Sequence, residues 1–189
     1  NSPSSSPNTD TTPTIRISGV ASGDTVGLYS DVNCTTLKGS ATSSGSTIDI
    51  TSSTLSSDGT YTFYSKRTTN IGNASGCSTA NVSYVLDTTA PSSPSGLSLS
   101  SPSSTPDQDT TPTIAIAGVV SGDTVKLFSD SSCSTQKGSA TASGSSVNIT
   151  SSTLSDGSYT FYANSTDPVG NISSCSSASV SYVVDTTAP

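Results

Sequence analysis

Apolar and polar residues alternate in short runs along this chain. "TIRIS", "TVGLY", "TYTFY" and "VSYVL" in the first half are answered by "TIAIA", "TVKLF", "SYTFY" and "VSYVV" in the second. A period of two turns one side chain inward and the next toward water, which is the signature of a half-buried β-strand. Gly, Asp, Ser and Pro bound the runs at spacings of about ten residues, the pattern of an antiparallel sandwich. No segment shows helical spacing, and "SDG" and "VGN" read as turns. In the second half the pattern predicts strands over 96–100, 113–119, 124–129, 137–141, 146–150, 158–165 and 177–184.

The two halves are copies. "DTTPTIRISGVASGDTV" from Asp10 reappears as "DTTPTIAIAGVVSGDTV" from Asp109, an offset of 99 that falls to 98 after the extra Ser in "LSSDG". "DTTAP" closes each copy, at Asp87–Pro91 and at Asp185–Pro189. Such self-similarity marks tandem domains, expected here as 1–88 and 89–189, the second ending in a linker to a following repeat. The first copy has no counterpart of "PSSPSGLSLS" and is expected to lack its N-terminal strand.

Composition narrows the reading. The chain has 189 residues, 30% of them hydrophobic and 5% aromatic, and is rich in Ser and Thr. Sandwiches of this size bury small cores and usually need a cross-link or a metal. The net charge is −7, with six Lys and Arg in all. No basic patch can form, so nucleic acid is excluded as a partner. No apolar run approaches the ~20 residues that span a bilayer, so membrane insertion is not expected. No secretory leader opens the sequence, which is expected to be an excised or mature piece.

"SGDTVKLFSD", "LSDGSYTFYA", "TDPVGNISS" and the closing "DTTAP" resemble the bacterial Ig-like repeats of giant extracellular surface adhesins. The resemblance covers nearly the whole chain. It implies an all-β fold of two tandem Ig-like, Greek-key sandwiches in an extracellular, cell-surface protein. It also implies a structural role: a stalk or spacer in a long array, with neighbouring repeats as partners and a cell-surface or glycan receptor reached through a tip outside this sequence. Two other readings stay open. One is a module that binds a ligand through polar loops at one pole; the loops differ most at "KRTTNIGNASG" against "NSTDPVGNISS", where Lys66 and Arg67 are the only adjacent basic pair. The other is a segment of a self-associating filament, in which the missing strand of the first copy would need a donor.

Catalysis is not expected. All thirteen acidic residues are Asp and there is no His, so neither a Ser-His-Asp nor a Cys-His arrangement can be built. Lys38 and Lys137 recur at matching positions and read as solvated hairpin lysines rather than isopeptide donors. Sequons such as "NCT" and "NIS" are expected by coincidence in so Ser- and Thr-rich a chain.

The four cysteines, Cys34, Cys77, Cys133 and Cys175, point to disulfides in an oxidising compartment. The strand order places Cys34 at one pole of its sandwich. Cys77, just past the "NIGN" turn, falls at the other. A strand of about seven residues separates the poles by roughly 23 Å, whereas bridged Cα atoms lie within about 7 Å. The favoured pairing is therefore interdomain, Cys34 with Cys175, leaving Cys77 and Cys133 for neighbouring repeats. The alternative is Cys34–Cys77 and Cys133–Cys175. The same logic gathers Asp10, Asp87, Asp167 and Asn171 at the joint as candidate ligands for Ca²⁺, a hard cation that takes six to eight oxygens. Repeats of this resemblance often hold Ca²⁺ at such joints. Each Asp taken alone is an ordinary turn residue.

Overall fold

The computed structural model describes residues 2–188; Asn1 and Pro189, the outermost residues of the two expected domains, lie outside them. The chain divides into two units, Asn1–Thr88 and Thr89–Pro189.

The first unit is built from β1 (Thr14–Ser18), β2 (Thr25–Tyr29), β3 (Leu37–Thr42), β4 (Thr47–Thr51), β5 (Gly59–Thr68) and β6 (Val82–Leu86). One sheet is the antiparallel pair β1-β4 and the other is ordered β3-β2-β5-β6. The inward residues of the alternating runs make the core: Ile15, Val26, Leu28, Ile50, Phe63, Tyr84 and Leu86, joined by Leu55. Strand β5 is long enough to serve two neighbours. Its residues Gly59–Phe63 pair with β6, and Tyr64–Thr68 pair with β2.

The second unit repeats this plan with one strand more. It runs β7 (Gly96–Ser101), β8 (Thr113–Ala117), β9 (Thr124–Phe128), β10 (Gln136–Thr141), β11 (Ser146–Thr150), β12 (Gly157–Thr166) and β13 (Val180–Val184). Its sheets are β11-β8-β7 and β10-β9-β12-β13. The added strand β7 pairs antiparallel with β8 from Gly96↔Ala117 to Leu99↔Ile114, with a register shift before Ser101↔Thr113. Among the described residues the first unit has no strand in the corresponding place.

Three expected strands are shorter than their patterns, one of them, 124–129, by a single residue at Phe128. The run at 113–119 ends at Ala117, because Gly118 takes φ 77° and turns the chain. The run at 177–184 begins at Val180, because the chain ahead of it packs along β12 through side-chain-assisted bonds instead of a regular ladder: the Ser173 and Ser176 amides donate to the carbonyls of Ser165 and Ala163. Their hydroxyl oxygens accept the Ser165 and Ala163 amides. The recurring "KG" is a packing requirement. A Cβ on Gly39 would lie 2.6 Å from the Thr51 carbonyl oxygen, and one on Gly138 would lie 2.8 Å from that of Thr150. Where β3 and β10 cross toward the opposite sheet, only glycine fits.

Candidate functional site

Each unit carries one disulfide. Cys34 is bonded to Cys77 with Cα atoms 5.6 Å apart, and Cys133 to Cys175 at 5.7 Å. This overturns the favoured Cys34–Cys175 pairing and the assignment of Cys77 and Cys133 to neighbouring repeats; the alternative pairing is the one present. The error lay in the path after β5. Cys77 does not stay beside the turn that follows β5. Beyond Gly72 the chain doubles back along β5, with the Ser75 amide on the Arg67 carbonyl and the Ser78 amide on that of Ser65. Ser65 lies across from Leu28 on β2, so the return has already covered much of the distance to the pole where β2 ends. Cys34, in the loop after β2, is there to meet Cys77.

That cysteine loop is organised by an aspartate that sequence reading did not single out. Both oxygens of Asp31 accept the Thr35 amide at 3.1 Å, Oδ1 also takes the Asn33 amide at 3.0 Å, and Oδ2 takes the Thr36 amide at 2.6 Å. Asp130 repeats the arrangement with the Ser132, Ser134 and Thr135 amides and adds a short bond from the Ser132 hydroxyl. The carboxylate supplies the acceptors that a sharp loop leaves wanting. It thereby holds Cys34 and Cys133 at φ 52° and 53°, a left-handed conformation that is costly for a residue with a Cβ. Charge-assisted bonds favour the ionised form. The Thr36 amide first, with Thr35 beside it, lowers the Asp31 carboxyl to about 2. Asp130 is held lower still, first by the Ser132 hydroxyl and then by the Thr135 amide. The sequence signal was present in "SDVNCTT" and "SDSSCST": an Asp a fixed three residues before each cysteine.

A second carboxylate pair differs between the units. Asp24 and Asp123 are buried at the entrances of β2 and β9, 5% and 3% exposed. In the first unit Arg67 Nη1 stands 3.4 Å from Asp24 Oδ2 and donates to the Gly19 carbonyl. The ladder position of Arg67, opposite Val26, is filled in the second unit by Ser165, opposite Val125. There Asp123 Oδ2 and Ser165 Oγ are buried without hydrogen-bond partners. Burial, with the Asp167 charge adding to it, pushes the Asp123 carboxyl up against the bond from the Val120 backbone.

The calcium candidates occupy turns. Asp10 Oδ1 accepts the amide and hydroxyl of Thr12, while the Asp10 amide donates to Asn8 Oδ1. The Asp87 amide donates to the Asn8 carbonyl, so Asn8 ties Asp10 and Asp87 to one segment. Asp167 Oδ1 takes the amides of Val169, Gly170 and Asn171, and its Oδ2 takes the Asn171 side chain at 2.9 Å. Burial works to raise the Asp167 carboxyl, and these bonds together hold it below its ordinary value. Among the described residues no three His, Cys, Asp or Glu side chains gather around one point. Lys38 and Lys137 lie on β3 and β10 in the second and corresponding positions of the two strands.

Residues 91–186 match the family described as the bacterial Ig-like domain. No curated protein matches the chain. Several solved structures are similar. The BSP domain of a biofilm-associated protein is 21% identical with a TM-score of 0.36, over 96% of this chain and 29% of that one. The fibronectin(III)-like modules of CbhA from Clostridium thermocellum are 17% identical with a TM-score of 0.48, over 95% and 92%. The human OSCAR ligand-binding domain is 13% identical with a TM-score of 0.38, over 94% and 92%.

Proposed function

We propose, from the premise that this chain belongs to the bacterial Ig-like domain family, that it is a non-enzymatic spacer: two repeats of an extracellular stalk whose work is mechanical. The observation that carries this reading is the placement of the disulfides. In both units the bond joins the loop after the second ladder strand (β2, β9) to the return segment after the long strand (β5, β12). Each sandwich thus carries its own covalent pin and its own core, as a bead in a load-bearing series requires. Paired cysteines in a small domain also favour an oxidising compartment, hence the cell exterior. The Asp-rich, weakly hydrophobic surface keeps such an array soluble and self-repelling.

The competing reading as a ligand-binding module draws on the variable segment that starts with Lys66 and Arg67 at the end of β5. Arg67 is engaged with Asp24 and the Gly19 carbonyl, so this sequence difference concerns neutralisation of an internal carboxylate. Calcium at Asp10, Asp87, Asp167 and Asn171 remains a proposed additional stiffener, supported by the all-oxygen chemistry of those side chains. Calorimetric titration with Ca²⁺ tests it, and absence of heat removes it without touching the covalent pins.

The spacer reading is tested by exchange in the parent surface protein. Replacing both repeats with two unrelated Ig-like repeats is expected to leave attachment intact. Loss of attachment with display preserved would make this pair the binding module.

A further inference from the structure

The two units hold a buried carboxylate at the same place and surround it differently. Asp24 and Asp123 stand just ahead of β2 and β9, and each bonds the loop before it, through the Ala21 amide and through the Val120 backbone. In the first unit a counter-charge arrives from β5. Arg67 lies opposite Val26, brings Nη1 within 3.4 Å of Asp24 Oδ2, and donates from the same nitrogen to the Gly19 carbonyl. In the second unit Ser165 takes that ladder position, opposite the core residue Val125. A hydroxymethyl group thus replaces the side chain that reached across to the carboxylate. Asp123 Oδ2 and Ser165 Oγ are closed off from solvent, and among the described residues neither has a hydrogen-bond partner. Gly118 repeats the turn of Gly19, with the same φ of 77° and the matching amide bond, here to the Ser145 carbonyl. Its own carbonyl therefore stands where the first unit's arginine makes its other contact. Asp167 adds negative charge from nearby, but its oxygens already accept the Val169, Gly170 and Asn171 amides and the Asn171 side chain.

We infer that the second unit closes around a small monovalent metal cation, held by the Asp123 carboxylate, the Ser165 hydroxyl oxygen and the Gly118 carbonyl in place of the Arg67 guanidinium. A buried carboxylate is paired with a cation or coordinates a metal, and a buried polar atom without a partner calls for one. A water molecule would satisfy the hydrogen bonds and leave the charge. A single positive charge matches the one that the first unit supplies to Asp24. Calcium collects six to eight oxygens and favours several carboxylates, more than one open carboxylate, one hydroxyl and one carbonyl provide. The site shares no ligand with the calcium proposed at Asp10, Asp87, Asp167 and Asn171. The inference goes beyond the spacer reading and does not rest on it: the second unit draws from its medium a charge that the first carries in its own sequence.

The test compares the full chain in sodium chloride and in tetramethylammonium chloride at equal concentration, the second cation being too large to enter. Amide exchange resolved by unit is the readout. For a dissociation constant of about 50 mM, sodium at about 100 mM should raise the protection of the second unit's core amides about threefold, as 1 + [L]/Kd. The first unit, which holds Arg67, is the internal reference and should not respond. Asp123→Asn and Ser165→Arg should each abolish the response, the one by removing the charge and the other by supplying a guanidinium. Asp123→Asn decides alone if Ser165→Arg does not fold. Equal protection of the second unit in the two salts would overturn the inference and leave water as the occupant. A response of the same size in both units, or one that persists in Asp123→Asn, would overturn it as a general salt effect. A response to micromolar Ca²⁺ that Asp123→Asn abolishes would overturn it in favour of a divalent site.

Discussion

Arg67 Nη1 stands 3.4 Å from Asp24 Oδ2, while Asp123, the matching carboxylate of the second unit, has Ser165 at the ladder position of that arginine. One buried carboxylate has a cation and, among the described residues, the other has none. A buried acceptor without a partner costs about 1–3 kcal/mol. Asp123→Asn is therefore expected to stabilise the second unit by about 1–2 kcal/mol at pH 7, read from amide exchange resolved by unit. Burial raises the Asp123 carboxyl above its ordinary value. Its contribution is thus fully present below about 3.8 and is lost as pH rises through the elevated folded value. The gain from Asp123→Asn should accordingly shrink toward pH 4. A destabilising substitution at pH 7 would show that the charge is compensated.

The cysteine loop should respond to acid in the opposite sense. Asp31 is lowered to about 2 by the Thr36 amide and its neighbours. A depressed carboxyl contributes stability that is present above its unfolded value of about 3.8 and lost as pH falls toward the folded value. The Thr35 and Thr36 amide resonances should titrate with a midpoint near 2. A midpoint near 4 would mean that the carboxylate does not hold the loop.

Tyr84 and Tyr182 close the other side of each sandwich. Their hydroxyls donate to the backbone carbonyls of Asp10 and Asp109, each at 2.6 Å, and burial raises both phenols. Tyr182→Phe leaves the half-buried Asp109 carbonyl with one donor fewer and is expected to cost about 1 kcal/mol, measured by urea denaturation. An unchanged midpoint would mean that the segment ahead of β8 is held by its other contacts alone.

How far these features were legible in the sequence depended on how local they are. The alternation in "TYTFY" and "SYTFY" placed Phe63 and Phe161 in the cores, because period two is a property of the strand itself. The tandem copy gave the added β7 of the second unit by subtraction. The disulfide pairing was misread because it depends on the route of a segment with no pattern. Residues 73–81 form no regular ladder, yet their serines dock them along β5 and carry Cys77 back to Cys34. The roles of Asp31 and Asp123 were hidden for a related reason. Neither stands in a strand pattern that singles it out, and only the fold shows that one collects backbone amides while the other is buried where the arginine of the first unit is replaced by Ser165.

The covalent pins should dominate the stability of such small cores. Cys34→Ala with Cys77→Ala opens a loop of 43 residues and is expected to cost the first unit about 2–4 kcal/mol. Calorimetry should show that loss in the first unit's transition. A shift confined to the second unit would contradict a self-contained pin.

Pulling single chains from their ends tests the central claim most directly. If each unit is a separately pinned bead, the oxidised chain unfolds in two events. In each, the residues between the bonded cysteines stay unextended. Reduction should then lengthen both events by about 150 Å, from separations of 43 and 42 residues at ~3.5 Å each. Event lengths unchanged by reduction, or a single event for the whole chain, would contradict it.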